Sequence, residues 1–221
     1  MLLISCSPSK YISQNTNQQL PLQIPRISTD KIIIDGNFND WQTDVLIDHL
    51  TDPWNEDQVD STQFRACYDK KYFYFSFKVI DHHLITREII NEMSIDLEDR
   101  VEIFFSKDAD LNQYYGLEID PYGHVMDYKA NYYRKFDTGW KLEDLTIGTT
   151  ILHNGYHVEG KISLKIMAKL GIKKHAYIGI FRADYWGTAK KDVHWYTWKK
   201  PVSAKPDFHI PSAFSPFILA N

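Results

Sequence analysis

Only two cysteines, Cys6 and Cys67, stand among the 221 residues, so a disulfide framework is not indicated. No stretch approaches the roughly 20 consecutive apolar residues that a membrane-spanning helix needs. Positive charge is not in excess either. The formal net charge is −4, which argues against a nucleic-acid partner, where a basic footprint is expected. The chain has no G-x-S-x-G, P-loop or dinucleotide fingerprint. Its nine histidines show no HExxH or other zinc spacing. Helical signals are few and no internal repeat is visible.

Aromatic residues are plentiful, with 14 Tyr and 6 Trp, and hydrophobic residues make up 43% of the chain. That suffices for one sizeable core, and it suits strands and ligand platforms alike. Residues 72–79 alternate, with Phe73, Phe75, Phe77 and Val79 on one face. Val101, Ile103 and Phe105 alternate with Glu102 and Phe104, and Leu117 and Ile119 alternate with Gly116, Glu118 and Asp120. Pro121-Tyr122-Gly123 reads as the turn of a hairpin whose return begins at His124. Asn154-Gly155 is a tight-turn signal between two extended runs, and Tyr177–Asp184 is a further strand. Ile32-Ile33-Ile34 is a short extended run stopped by Asp35-Gly36. Residues 84–95 fit a short helix or a long loop. Leu164–Leu170, after Ser163 and before Gly171, predicts a short helix. Many strands with turn signals and one or two short helices predict an all-β, antiparallel sandwich of jelly-roll-like form.

The first 25 residues differ from the rest. Leu3-Ile4-Ser5-Cys6 has the pattern of a bacterial lipoprotein cleavage site, whose cysteine receives the lipid. The charged start and long apolar region that usually precede such a site are missing. Either the true start lies upstream or the match is chance. Residues 7–25 are polar and end in proline, which reads as a flexible tether. The expectation is a leader and linker over 1–25, a domain over 26–221, and an exported protein at the outer membrane, cell surface or periplasm. Cys67, in an apolar strand pattern, is expected to be a buried free thiol.

Six segments, in order, carry a resemblance. They are Ile34-Asp35-Gly36 with Asp40-Trp41; Tyr68-Asp69 with Tyr72-Phe73-Tyr74; Asp99-Arg100-Val101-Glu102-Ile103-Phe104; Tyr115 to Gly123; Tyr156-His157-Val158-Glu159 with Ile162; and Phe208-His209-Ile210-Pro211 with Phe214. Together they resemble the carbohydrate-binding family 9-like fold from about residue 32 to 219. The resemblance implies a non-catalytic module that binds an oligo- or polysaccharide. It places Glu102 where the family has a sugar-contacting carboxylate, and it allows a structural calcium ion. Two tryptophans clamp the sugar in some members. Their positions hold Asp96-Leu97 and Phe208 here, so that clamp is not reproduced.

A sugar packs its C–H face on an aromatic plane and offers its hydroxyls to carboxylates and forked donors. The tail supplies the aromatics Trp186, Trp195, Tyr196, Trp198 and Phe208, with His209 next to Phe208. The strands supply Glu102, Glu118 and Glu159, all opposite the core-facing parity. Arg182 follows Ile178 and Ile180 at even spacing, so simple alternation turns it inward, where it needs a carboxylate partner, unless a bulge turns it outward. The candidate ligand set is therefore Glu102, Glu118, Arg182, Trp186, Trp195, Trp198, Phe208 and His209. Arg182 and a glutamate are expected to form a charged floor. Trp41 is expected to plug the core. Calcium could use Asp52, Glu56, Asp57 and Asp60, or Asp108 and Asp110, although a solvated acidic loop accounts for them as well. A glycosidase pair could always be drawn from so many carboxylates, but a small sandwich without large loops makes a poor cleft. Two further readings stay open. One is a haem or electron-transfer sandwich using His124, Met126 or Met167 as axial ligands, although no C-x-x-C-H is present. The other is an interaction domain without a small ligand.

Overall fold

The structure, a computed structural model, describes residues 20–29, 31–87 and 92–220. Cys6 and most of the expected tether lie outside the described residues. The strands, in chain order, are β1 (Leu22–Ile24), β2 (Leu50–Asp52), β3 (Gln58–Asp60), β4 (Gln63–Tyr68), β5 (Tyr72–Ile80), β6 (Arg100–Ser106) and β7 (Tyr114–Ile119). They continue as β8 (Val125–Asn131), β9 (Lys135–Asp137), β10 (Leu145–Leu152), β11 (Gly155–Ser163), β12 (His175–Tyr185), β13 (Val193–Thr197) and β14 (Ser215–Leu219). One sheet runs β3-β2-β13-β12-β6-β7-β8-β9, with β14 beside β12 and β1 beside β14; the other runs β10-β11-β5-β4. Pairing is antiparallel except for β1, which runs parallel to β14. The predicted all-β sandwich is the observed one.

Alternation explains how the sheets pack. Phe73, Phe75, Phe77 and Val79 of β5 meet Val101, Ile103 and Phe105 of β6 and Ile178 and Ile180 of β12 in one core. Phe73 meets Phe105 edge-on at 5.6 Å between ring centroids, a favoured aromatic geometry. Each sheet is also covered on its outer face, so residues of the opposite parity are buried too. The opening segment covers the smaller sheet, where Ile32, Trp41, Cys67 and Tyr74 form a cluster. Trp41 is a core plug as expected. Cys67 is a buried free thiol, and burial pushes its pKa up to about 12. The strap of residues 206–214 covers the larger sheet, where Phe104, Tyr114, Tyr128, Phe181, Phe208 and Phe214 pack together.

The one α-helix among the described residues is α1 (Leu164–Lys169), capped by Ser163, whose Oγ accepts from the Ile166 N–H at 3.3 Å. Gly171, at φ +83°, ends it. Residues 84–87 are irregular and a 3₁₀ turn follows at Glu92–Leu97, so the loop alternative for this region holds.

Two expectations need correction. Ile32–Ile34 is not a strand. Backbone donors there turn to side chains instead: Ile33 N–H donates to Asp40 at 2.7 Å, and Asp35 N–H donates to Glu159 at 2.7 Å. Residues 22–24, expected to belong to a flexible tether, form a strand. Leu22–Ile24 pairs with Phe217–Leu219, and Ile24 is fully buried. The flanking Pro21 and Pro25 hid a strand of only three residues.

Candidate functional site

The outer face of the larger sheet carries a cavity of about 380 Å³, within the usual range for small-ligand sites. Strand register builds its floor. Glu102 stands opposite Glu118, and Glu118 opposite Met126, in neighbouring strands β6, β7 and β8. Arg100, two residues before Glu102 on the same face, stands opposite Ala183. Ala183 in turn stands opposite Trp195 of β13. The small Ala183 leaves room for the Arg100 guanidinium, whose Cζ lies 5.5 Å from the Trp195 ring centroid.

The floor is an ion cluster. Arg100 Nε lies 2.6 Å from Glu118 Oε2 and 2.9 Å from Glu102 Oε1. Tyr128 O–H donates to Glu118 Oε1 at 3.0 Å. Arg100 Nη1 donates to the carbonyls of Ile95 and Glu98, both at 3.3 Å. Burial first, and the Glu118 carboxylate second, hold the Glu102 carboxyl above the ordinary carboxylate range.

The wall is aromatic. Phe208 stacks on Phe181 at 4.2 Å between centroids and meets the edge of Trp195 at 5.5 Å. His209 packs against Phe104, Tyr128 and Phe136. Its Nδ1 lies 3.1 Å from the Tyr114 hydroxyl. Burial above all, and the nearby Arg134 charge, lower its pKa to about 3, so the ring is neutral. A latch closes the rim: Tyr133 O–H and Arg134 Nη2 both donate to Asp207, at 2.6 and 3.2 Å.

Five expected residues therefore line one cavity: Glu102, Glu118, Trp195, Phe208 and His209. Three do not. Arg182 points inward as its parity required, but its partners are Asp60 at 2.9 Å, Asp81 at 2.5 Å and Asp184 at 3.0 Å, not a glutamate. The cation of the floor is Arg100. Trp198 lies three residues from Trp195, so strand alternation puts it on the other face, against the inter-sheet core. Trp186 lies beyond the end of β12, is 57% exposed, and does not line the cavity. Glu159 belongs to the other sheet. It accepts from Asp35 N–H, Gly36 N–H and Trp41 Nε1–H at 2.6–2.7 Å, and so latches the opening segment. Asp96, Leu97 and Phe208, which stand at the two clamp positions of the resemblance, all face this cavity. Arg100, Tyr128, Arg134 and Phe136 were missed. Arg100 had a signal, because it shares parity with Glu102. Arg134 had none, because a turn brings it to the rim.

The axial ligands of the haem reading do not converge. Met167 is in the inter-sheet core, Met126 lines the outer cavity, and His124 Nδ1 is held by Asp120 at 2.8 Å. Four of the six acidic residues named for calcium have other partners. Asp52 accepts from Trp54 N–H, Asp57 pairs with Lys200, Asp60 with Arg182, and Asp108 accepts from Asn112 N–H. Among the described residues, three carboxylates that could share an ion meet at Asp81, Asp99 and Asp184, with ligand atoms within 4.8 Å of one another.

Comparison with known proteins gives a consistent result. The sequence profile of the carbohydrate family 9 binding domain-like family matches residues 32–221. A proposed carbohydrate-binding protein from Bacteroides uniformis ATCC 8492 is 13% identical, with a TM-score of 0.71 over 90% of this chain and 99% of that one. A family 9 carbohydrate binding module from Caldicellulosiruptor kristjanssonii in complex with glucose is 16% identical, with a TM-score of 0.57 over 90% of this chain and 95% of that one. A family 9 module from the same organism in complex with cellotriose is 17% identical, with a TM-score of 0.56 over 89% and 93%. No curated protein matches the chain.

Proposed function

The chain belongs to the carbohydrate family 9 binding domain-like family, and on that premise we propose that its outer cavity is a non-catalytic saccharide site. The observation that carries this reading is the meeting, in one cavity, of an aromatic wall (Trp195 and Phe208) with a charged floor (Arg100, Glu102 and Glu118). The wall offers C–H packing and the floor offers fixed hydrogen-bond partners, the two things a sugar ring needs. Related modules bind glucose and cellotriose, and a ligand of that class suits this cavity. Catalysis is not part of the proposal. Glu102 and Glu118 stand side by side on one guanidinium, whereas a glycosidase pair flanks the bond it breaks.

The test is a glycan panel scored by thermal shift, since a ligand that binds only the folded state raises the melting temperature. A soluble glucan or its oligomers should raise it, and Trp195→Ala should remove the rise without unfolding the protein. No shift across the panel in a folded sample would favour the interaction-domain reading.

Two attachments to this reading are also proposed. A calcium ion is proposed at Asp81, Asp99 and Asp184, because their ligand atoms lie within 4.8 Å of one another. Calcium should raise the melting temperature of chelator-treated protein, and Asp81→Asn should abolish that rise. The Leu3-Ile4-Ser5-Cys6 pattern supports export and lipid anchoring. Fatty-acid labelling in a bacterial host, lost in Cys6→Ser, tests it.

A further inference from the structure

The β8–β9 hairpin stands at the rim of the cavity and carries three exposed rings. Tyr132 and Tyr133 lie in its turn and Phe136 on β9. Two of them serve the cavity. Phe136 lines it and meets the Tyr128 and His209 rings edge to face. Tyr133 donates its hydroxyl to Asp207, and the Arg134 Cζ lies 5.7 Å from its ring centroid. Tyr132 does neither. It is 48% exposed and belongs to none of the hydrophobic clusters of the described residues. Beside it lies a second hollow, an open cleft of about 670 Å³ lined by Asp110, Asn112, Asn131, Tyr132, Lys135 and Pro211. The cleft is held in shape. Tyr132 N–H donates to the Leu111 carbonyl at 3.1 Å, which ties the hairpin to the loop carrying Asp110 and Asn112. The backbone and side-chain amides of Asn112 both donate to Asp108, at 3.1 and 3.3 Å. Cavity and cleft are neighbours built from the same two elements. The hairpin gives Arg134 and Phe136 to the cavity and Tyr132 and Lys135 to the cleft; the strap gives Phe208 and His209 to the first and Pro211 to the second. An exposed phenol ring beside amides, a carboxylate and an ammonium group suits a sugar ring in the way the cavity does.

Resting on the saccharide reading above, we propose that the cleft is an outer subsite. The ligand is then an oligosaccharide long enough to leave the cavity past the Tyr133–Arg134–Asp207 latch and lay a further ring on Tyr132. Asn112, Asn131 and Lys135 meet the hydroxyls of that ring. Once part of the chain sits in the cavity, its next residues reach the cleft at high effective concentration, so a contact too weak to hold a free sugar still adds affinity. A single sugar fills only the cavity and gains nothing from the hairpin turn.

Titration of the full chain with glucose and with cellohexaose, followed by calorimetry and NMR, tests the proposal. Cellohexaose should bind at least about tenfold more tightly than glucose, and Tyr132→Ala should cut that ratio roughly fivefold, the size of one ring contact. The amide signals of Asn112, Tyr132 and Lys135 should shift with cellohexaose and stay in place with glucose. If the variant does not fold, the wild-type shifts decide alone. Equal affinities, a ratio unchanged in Tyr132→Ala, or cellohexaose shifts confined to the cavity overturn the inference and leave the saccharide reading standing. No binding by either sugar, nor by cellotriose, overturns both.

Discussion

Gly116 stands directly beneath the Tyr128 ring. A Cβ at this position would sit 2.4 Å from that ring, so only glycine lets Tyr128 lie across β7 and reach Glu118. Gly116→Ala should cost about 1–3 kcal/mol, the usual range for overpacking, and should weaken ligand binding by displacing the tyrosine. Urea unfolding measures the first effect; unchanged stability would contradict the packing described. His209 allows a test with pH. Its folded pKa, about 3, lies below the ordinary value near 6.5, so the unfolded chain takes up a proton first. Its contribution is complete above pH 6.5 and is lost as pH falls toward 3. The loss should be on the order of 2–4 kcal/mol, counting about 1.4 kcal/mol per pKa unit and discounting for relaxation. His209→Asn should flatten that part of the stability profile, and parallel profiles would count against a buried neutral ring. At this scale the sequence was informative about direction and poor about partners. Alternation turned Arg182 inward correctly, yet its acids Asp60 and Asp81 come from more than a hundred residues away. No local pattern could choose them over a glutamate.

Among the elements, the strongly alternating ones were readable. Strand β5, the β7–β8 hairpin and the turn at Asn154-Gly155 stand where periodicity and turn chemistry put them. The short and irregular ones were not. β1 has three residues between two prolines, and its partner β14 lies at the far end of the chain. Ile32–Ile34 is apolar enough for a strand, but Glu159 and Asp40 take its donors. Glu159 is an outward-facing position by parity and would be solvated on a bare sheet. It is buried because the opening segment lies over it. The N-terminal boundary can be tested. A chain starting at residue 20 should be more stable than one starting at residue 26 by about 2–4 kcal/mol, from the burial of Ile24 and the pairing of β1. Equal stability would mean that β1 contributes nothing.

For the molecule as a whole, both sheets are clad on their outer faces, and each cladding has a polar latch beneath it. Under the opening segment that latch is Glu159, fully satisfied by three donors. Under the strap it is the Arg100 cluster, which adjoins a cavity. The difference separates a structural clasp from a site. Sequence motifs located the second face, since Glu102, Glu118 and Phe208 were all named, but they could not show that Trp195 and Phe208 meet edge to face above it. That meeting depends on how the strap crosses the sheet, which is a tertiary outcome.

A crystal structure of the full chain soaked with the saccharide that gives the largest thermal shift tests the central claim most directly. The account predicts a sugar ring packed on Trp195 and Phe208, with its hydroxyls toward the floor of Arg100, Glu102 and Glu118. A sugar bound on another face of the sandwich, with this cavity holding only solvent, would contradict it.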